Sequence, residues 1–174
     1  MQNRTWITWE KQRRSIELAK KFRCDLHVID HQGIMRYPLS ILRTVSILRL
    51  GRPDVLFVQN PSMILAALAC ICKYIFKYFL VVDRHTTFLL DEDYENTLRL
   101  RIFKLLNRLT IRHADMTIVT NNLLADIVRR LKGRPYILPD MVPTLVETEE
   151  VELKGGHNIL MISSFGIDEP VHDV

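Results

Sequence analysis

Six short apolar runs alternate with helical stretches along the first 140 residues of the chain. The most informative run is DVLFV at residues 54–58, because a continuous apolar run is typical of a strand buried on both faces of a parallel sheet. The other predicted strands are residues 5–9, 24–29, 79–82, 115–119 and 135–138. This alternation predicts an α/β fold, a Rossmann-like parallel sheet with helices on both faces.

Helical periodicity fills the segments between the predicted strands. The predicted helices are residues 10–22, a helix opened by Pro38 that ends at Gly51, a helix that starts at Pro61, residues 95–112, and a helix capped by Thr120 or Asn121 that ends near Lys132. Apolar spacing predicts which side chains face the core, namely Ile16, Leu18, Ala19 and Phe22 in the first helix and Leu39, Leu42, Val45 and Leu48 in the second.

Length and composition indicate the number of domains and the redox compartment. The 174 residues suffice for one ordinary domain, or for one domain and the beginning of another, and 48% hydrophobic with 25% charged residues is a globular composition. The three cysteines, Cys24, Cys70 and Cys72, lie in apolar segments, which argues against disulfides and for a reducing cytoplasm. No Cys/His cluster has zinc-ligand spacing, so no metal site is predicted.

The segment 63–82 is apolar and long enough to span a bilayer. Its second half contains Lys73 and Lys77, which would be costly inside the hydrocarbon layer. Its last four residues are β-prone and lead into Asp83. We therefore predict a buried helix followed by a buried strand, rather than a transmembrane helix.

Asp83 and His85 follow the fourth predicted strand, with one residue between them. Ligands of parallel α/β sheets bind at the carboxyl ends of strands, so this pair is placed for proton transfer to a sugar or phosphate hydroxyl. Asp83 could equally orient the imidazole. The alternative is that Asp83 caps a turn and His85 is simply exposed.

Two further segments could bind an anion. Asn60 stands where the third strand meets a helix N-terminus, whose free N–H groups favour phosphate, although an ordinary cap explains the same residues. Arg14, near the start of the first helix, could face a phosphate across the cleft, or it could lie on a solvated face.

Several familiar motifs are absent from the sequence. There is no G-x-G-x-x-G after the first strand, no G-x-x-x-x-G-K-[ST] and no G-x-S-x-G. These absences disfavour a dinucleotide-dependent dehydrogenase, a P-loop NTPase and an α/β-hydrolase. Basic residues are not interleaved with aromatic ones in a nucleic-acid-binding pattern, so no nucleic acid is predicted as a partner.

The predicted helix 95–112 carries an apolar stripe and a cationic stripe about 100° apart. The apolar stripe is Leu98, Ile102, Leu105 and Leu109, and the cationic one is Arg101, Lys104, Arg108 and Arg112. Further positive charge stands at Arg36, Arg43, Arg49 and Arg52. This pattern would suit an anionic membrane surface. The alternative is a core-facing apolar stripe beside a solvated charged face.

The character of the chain changes after Pro139. Residues 141–156 are acidic and loop-like, and residues 158–162 form a seventh apolar run that would need strand neighbours. We therefore expect a Rossmann-like domain at 1–140, a linker at 141–156, and the truncated start of a second domain at 157–174.

In combination, these segments resemble the N-terminal half of a GT-B glycosyltransferase of the group 1, family 4-like type. The resemblance covers nearly the whole chain and rests on W…RRS…LA at 9–19, RPDV at 52–55, QNP at 59–61, DRHT at 83–86, HAD and VTN within 113–121, LPD at 138–140 and SSF…DE at 163–169. The D-x-H, V-T-N and S…D-E elements together are similar to the chitobiosyl-diphosphodolichol β-mannosyltransferase branch.

The resemblance implies two Rossmann-like domains facing each other across a cleft, with the acceptor in the first and most of the nucleotide-sugar donor in the second. It implies that His85 lies near the transferred sugar, with Asp83 in support. Further substrate-binding residues implied in the first domain are Arg14, Asn60, Thr86 and Asn121, and those on the donor side are Asp168 and Glu169.

The function expected from this resemblance is that of a hexosyltransferase in polysaccharide or glycoconjugate biosynthesis. It would move a sugar from a nucleotide sugar to a glycan or lipid-linked acceptor, without a cofactor, in the cytoplasm or on the inner face of the membrane. The truncated chain is expected to be inactive alone. One alternative is a non-catalytic, membrane-associated subunit that binds the acceptor for a separate donor-binding chain. Another is a sugar-nucleotide epimerase or related Rossmann enzyme, which the missing glycine motif disfavours.

Overall fold

The computed structural model describes residues 2–59, 62–85 and 98–140, without the side chains at positions 99 and 100. These residues belong to one compact unit, Met1–Met141. The elements of the described ranges, in chain order, are β1 (Arg4–Thr8), α1 (Arg13–Lys21), β2 (Asp25–Val28), α2 (Arg36–Gly51), β3 (Val55–Gln59), α3 (Met63–Phe76), β4 (Phe79–Arg84), α4 (Leu98–His113), β5 (Met116–Val119), α5 (Asn122–Arg130) and β6 (Pro135–Ile137).

The described strands form one parallel sheet in the order β2-β1-β3-β4-β5-β6. The predicted Rossmann-like α/β fold is therefore confirmed. The first strand is internal, with β2 on one side and all later strands on the other. The direction of strand addition thus reverses at the β1–β3 pair, and such a reversal opens a crevice at the carboxyl ends of the strands.

Alternation along the strands divides the core between the two faces of the sheet, since successive side chains of a strand point to opposite faces. On one face, Leu56, Val58, Leu80 and Val82 pack with Leu48 of α2 and with Leu65 and Ala69 of α3. On the other face, Trp6, Phe57 and Val81 pack with Leu18 and Ala19 of α1. Every residue of β3 is buried, as its continuous apolar run predicts.

The apolar segment 63–82 folds as a helix and a strand, as predicted. It forms α3, which ends at Phe76, and most of β4, whose residues from Leu80 onward are buried. Within the described part of the chain, no helix has both the length and the apolar character needed to cross a membrane.

The buried face of α2 differs from the prediction. Leu48 is buried as predicted and Val45 packs against the core, but Leu39 and Leu42 are exposed, and Ser40 and Thr44 are buried instead. The reason is Trp9, which is fully buried and whose indole N–H donates to Thr44 Oγ1 at 3.0 Å. A buried indole needs such a partner, so a polar side chain takes the inward position that spacing assigned to leucine. In α1, Ile16 is likewise more exposed than predicted, while Leu18 and Ala19 are buried.

The apolar stripe of α4 lies in solvent and not in the core. The exposed fractions are 74% for Leu98, 50% for Ile102, 56% for Leu105 and 40% for Leu109. The core-facing interpretation of this stripe is therefore wrong. Asn107, Thr110, Ile111 and Ala114 form the buried side of α4 and the residue that follows it.

Candidate functional site

The carboxyl ends of β1, β3 and β4 lie side by side at the strand-order reversal. The strands end at Thr8, Gln59 and Arg84, and Gln59 is paired in register with Asp83. Polar groups that follow these strands therefore share one edge of the sheet. All three strand ends are buried, since Thr8, Gln59, Asp83 and Arg84 each expose only 1% of their surface.

Asp83 forms a buried ion pair with Arg14 of α1. Arg14 Nε lies 3.0 Å from Asp83 Oδ2, and Arg14 Nη2 lies 3.0 Å from Asp83 Oδ1. The Asp83 side chain is fully enclosed, and only 11% of the Arg14 side chain is exposed. Burial raises the pKa of Asp83, and the adjacent guanidinium opposes this effect.

Arg14 also reaches the segment that follows β6. Its Nη1 donates to Asp140 Oδ1 at 2.5 Å, and its Nη2 donates to the carbonyl oxygen of Leu138 at 3.2 Å. Arg14 therefore joins α1, β4 and residues 138–140 through one side chain. This guanidinium, which the sequence offers as a phosphate ligand, is fully engaged within the domain.

His85 follows β4 directly and is half-buried. Its Nδ1 atom is enclosed and has no hydrogen-bond partner among the described residues. The imidazole is close enough to Asp83 to lower the pKa of that carboxyl by charge interaction. At the end of β4, His85 is therefore the titratable group with an unused ring nitrogen.

Arg84 stands between Asp83 and His85 in the chain, and the sequence analysis assigns it no role. Strand alternation directs it to the sheet face opposite Asp83. Burial lowers the pKa of Arg84 to about 10, which leaves it positively charged at neutral pH. It adds a buried positive charge beside the predicted site.

A second set of hydrogen-bonded polar residues lies at the carboxyl ends of β1 and β3. Thr8 Oγ1 lies 2.6 Å from Gln59 Oε1 and accepts from the backbone N–H of Glu10 at 3.2 Å. Gln59 Nε2 donates to Gln12 Oε1, and Gln12 Nε2 donates to Glu10 Oε2 at 3.4 Å. The sequence pattern assigns Glu10 no role, although Glu10 follows β1 at the carboxyl edge of the sheet, where ligands of such folds bind.

Glu10 stands at the rim of a cavity of about 290 Å³. Its Oε1 accepts from Arg36 Nη2 at 2.9 Å. Other lining residues are Tyr37, Ser62, Met63, Ile64, Ile102, Phe103 and Leu106, from α2, α3, α4 and the residue before α3. The cavity thus combines one charged wall with one apolar wall at the carboxyl edge of the sheet.

The remaining predicted site residues divide into two groups. Asn121 is exposed, and its side chain caps α5 by accepting from the Leu124 N–H at 2.9 Å, which confirms the predicted cap. Asn60, Thr86, Asp168 and Glu169 lie outside the described residues. In the described ranges, no three His, Cys, Asp or Glu side chains are grouped so as to hold a metal ion.

Comparison with protein families gives one match that covers most of the described unit. Residues 13–143 match the model of the family described as glycosyl transferase 4-like domain. The matched range holds Arg14, Asp83, His85 and Asn121, whereas Glu10 precedes it. Comparison with curated proteins gives no match.

Proposed function

The chain belongs to the glycosyl transferase 4-like family, and on this premise we propose that residues 1–140 are the acceptor-side domain of a hexosyltransferase. The donor is a nucleotide sugar, held mainly by a second domain that follows a linker at 141–156 and begins at 157–174. The acceptor is a glycan or a lipid-linked sugar in polysaccharide or glycoconjugate synthesis.

The observation that carries this proposal is the half-buried His85 at the end of β4, whose Nδ1 atom has no hydrogen-bond partner among the described residues. In glycosyl transfer, the acceptor oxygen bonds to the anomeric carbon while the bond from that carbon to the diphosphate breaks. An imidazole beside the sugar can hold one of its hydroxyls or receive a proton. We assign this role to His85, with Asn60, Thr86 and Asn121 lining the same cleft and Asp168 and Glu169 on the donor side.

Asp83 and Arg14 take a positioning role in this proposal. The Asp83 side chain has no exposed surface, and both of its oxygens accept from Arg14, so neither group can meet a substrate without dismantling the pair. The pair holds the end of β4 against α1, and His85 extends from that end. Asp83 therefore supports His85 indirectly, through the backbone of β4.

The test is the substitution His85→Ala in the full-length protein. Transfer, measured as release of nucleoside diphosphate with a panel of nucleotide sugars and extracted acceptors, is expected to fall by about 10²-fold or more. The far-UV circular dichroism spectrum should be unchanged, because His85 follows the strand. His113→Ala is the matched control, since this histidine is the last residue of α4 and contacts Tyr74 of α3. Full activity of His85→Ala would show that His85 takes no part in transfer, whereas absence of transfer by the wild type with every donor would favour the non-catalytic, acceptor-binding alternative.

A second proposal concerns the location of the protein. The exposed apolar stripe of α4 continues onto α3, where Ile71, Tyr74 and Ile75 are more than 60% exposed, and the two helices enclose an apolar groove of about 460 Å³. The cationic stripe of α4 borders this surface. We propose that this face, the α3–α4 face, rests on an anionic membrane surface on the cytoplasmic side.

A further inference from the structure

Glu10 follows β1, and Asp83 lies near the end of β4, on the far side of β3. Of these two carboxylates at the carboxyl edge of the sheet, Glu10 is the one open to a ligand. Asp83 is completely enclosed and is bonded at both oxygens by Arg14. Glu10 has 41% of its side chain exposed, and its partner Arg36 has 32% exposed. A substrate that enters at this edge can therefore reach the Glu10 carboxylate but not that of Asp83.

The backbone of Glu10 is fixed from the buried side. Its N–H donates to Thr8 Oγ1 at 3.2 Å, and its carbonyl oxygen lies 2.7 Å from the same hydroxyl. That hydroxyl is in turn 2.6 Å from Gln59 Oε1, and both Thr8 and Gln59 are 1% exposed. With its backbone held in this way two positions after β1, Glu10 presents its side chain in a defined place.

The carboxylate itself is held loosely, in contrast to its backbone. Oε1 accepts one bond from Arg36 at 2.9 Å, and Oε2 accepts one long bond from Gln12 at 3.4 Å. Exposed ion pairs of this kind contribute little to stability, so a ligand can replace them at small cost. A carboxylate has room for about four hydrogen bonds in total, which leaves acceptor capacity on both Glu10 oxygens.

The cavity beside Glu10 fits a small hydroxylated group joined to an apolar one. Among the residues that line it, Glu10 and Arg36 supply hydrogen-bond acceptors and donors, while Ile64, Ile102 and Leu106 supply apolar surface. Its volume of about 290 Å³ is close to the lower end of the range of small-molecule sites.

We propose that Glu10 is an acceptor-binding residue, whose carboxylate receives a hydrogen bond from a hydroxyl of the acceptor sugar. Thr8 and Gln59 are the positioning residues behind it, and Arg36 donates one bond to Oε1, which leaves acceptor capacity for the sugar hydroxyl. This inference rests on the proposed function, because it assigns a contact residue to the acceptor of that reaction. It differs from the sequence-based expectation, in which Asp83 is the carboxylate of the site.

The probe for the test is octyl β-D-glucopyranoside below its micelle concentration, which combines sugar hydroxyls with an apolar chain. Titrated into the ¹⁵N-labelled chain, it should shift the amide signals of Glu10, Arg36 and Ile64 in a saturable way. In Glu10→Ala the dissociation constant should rise about tenfold or more, as expected when a hydrogen bond to a charged group is lost. Glu10→Gln, which keeps an acceptor oxygen without the charge, should fall between Glu10→Ala and the wild type.

The matched control is Glu17→Gln. Glu17 lies on α1, pairs with Arg13 and is not among the residues that line the cavity, so its replacement should leave the dissociation constant unchanged. Thermal unfolding of each variant separates loss of binding from loss of fold. Wild-type affinity in Glu10→Ala, or shifts that never saturate, would overturn the inference.

A transfer assay separates this inference from the proposed function. In the full-length protein, Glu10→Ala should raise the KM for the acceptor and leave the KM for the nucleotide sugar unchanged. If Glu10→Ala transfers sugar as the wild type does, the inference is wrong and the proposed function stands. If the probe binds at Glu10 but the wild type transfers no sugar from any donor, the proposed function is wrong and the binding site stands.

Discussion

Arg14 bonds to two distant parts of the domain, and its side chain therefore joins the end of β4 to the segment after β6. It contacts Asp83 in β4, the Leu138 carbonyl and Asp140, residues that lie 69, 124 and 126 positions away along the chain. Removal of one partner from a buried pair is costly because the other charge stays buried and unpaired.

We therefore predict that Arg14→Ala lowers the free energy of unfolding by about 3–5 kcal/mol. Its neighbour Arg13, whose side chain is 62% exposed and pairs with Glu17, is the control. Arg13→Ala should change the free energy by about 0.5 kcal/mol or less. Urea denaturation followed by tryptophan fluorescence measures both values, and equal effects of the two substitutions would contradict the prediction.

The same variant should acquire a characteristic pH dependence. Burial raises the pKa of Asp83 above 3.8, and Arg14 opposes this rise, so loss of Arg14 raises the pKa further. The folded state then binds a proton that the unfolded state has released. Stability of Arg14→Ala, relative to the wild type, should fall as the pH rises from about 3.8 through the folded-state pKa. Urea midpoints at several acid and neutral pH values measure this difference, and a parallel course of the two proteins would contradict it.

The sequence alone predicts only part of the candidate site, because the residues that interact there are far apart along the chain. The D-x-H element was placed at the end of a strand because local patterns define strands. The ion pair between Asp83 and Arg14 depends on the packing of α1 against β4, and no local sequence pattern predicts that packing. Glu10 was likewise overlooked because its significance comes from the cavity and from Arg36, which lie on other elements.

Among the elements, the strands follow their local sequence most closely. Continuous apolar runs such as β3 are buried on both faces whatever packs against them, so their pattern alone locates them. Helix faces are less predictable, because the partner decides which side is inward. The buried face of α2 follows Trp9, whose indole requires Thr44, and not the leucine spacing.

The α3–α4 face leads to a prediction about membrane binding. The wild-type chain should float with vesicles that contain anionic phospholipid at low salt, and less so at high salt. The double substitution Leu105→Ser and Leu109→Ser should reduce the vesicle–water partition coefficient about tenfold. The reason is that each exposed leucine would bury apolar surface in the membrane on binding.

A control for this experiment is available on another helix. Leu123 of α5 is 63% exposed and lies outside the α3–α4 face, so Leu123→Ser should leave flotation unchanged. If the wild type fails to float, or if all three leucines contribute equally, the membrane proposal is wrong.

At the scale of the molecule, the compact unit Met1–Met141 contains all the described contacts of the site. We predict that a chain ending at Met141 retains its far-UV circular dichroism spectrum and a cooperative thermal transition. A chain ending at Ile137 should be less stable, because it lacks both the Leu138 carbonyl and Asp140 that Arg14 binds. Loss of the cooperative transition in the longer of these two chains would show that residues 142–174 are needed for folding.

The internal position of β1 has a consequence for synthesis on the ribosome. β1, the first of the described strands in chain order, lies within the sheet, β2 closes one of its sides, and β3 to β6 then join the other side in the order of translation. Each of these later strands meets an edge that is already exposed outside the exit tunnel. The sheet can therefore grow co-translationally by successive short loop closures, without waiting for the carboxyl-terminal residues.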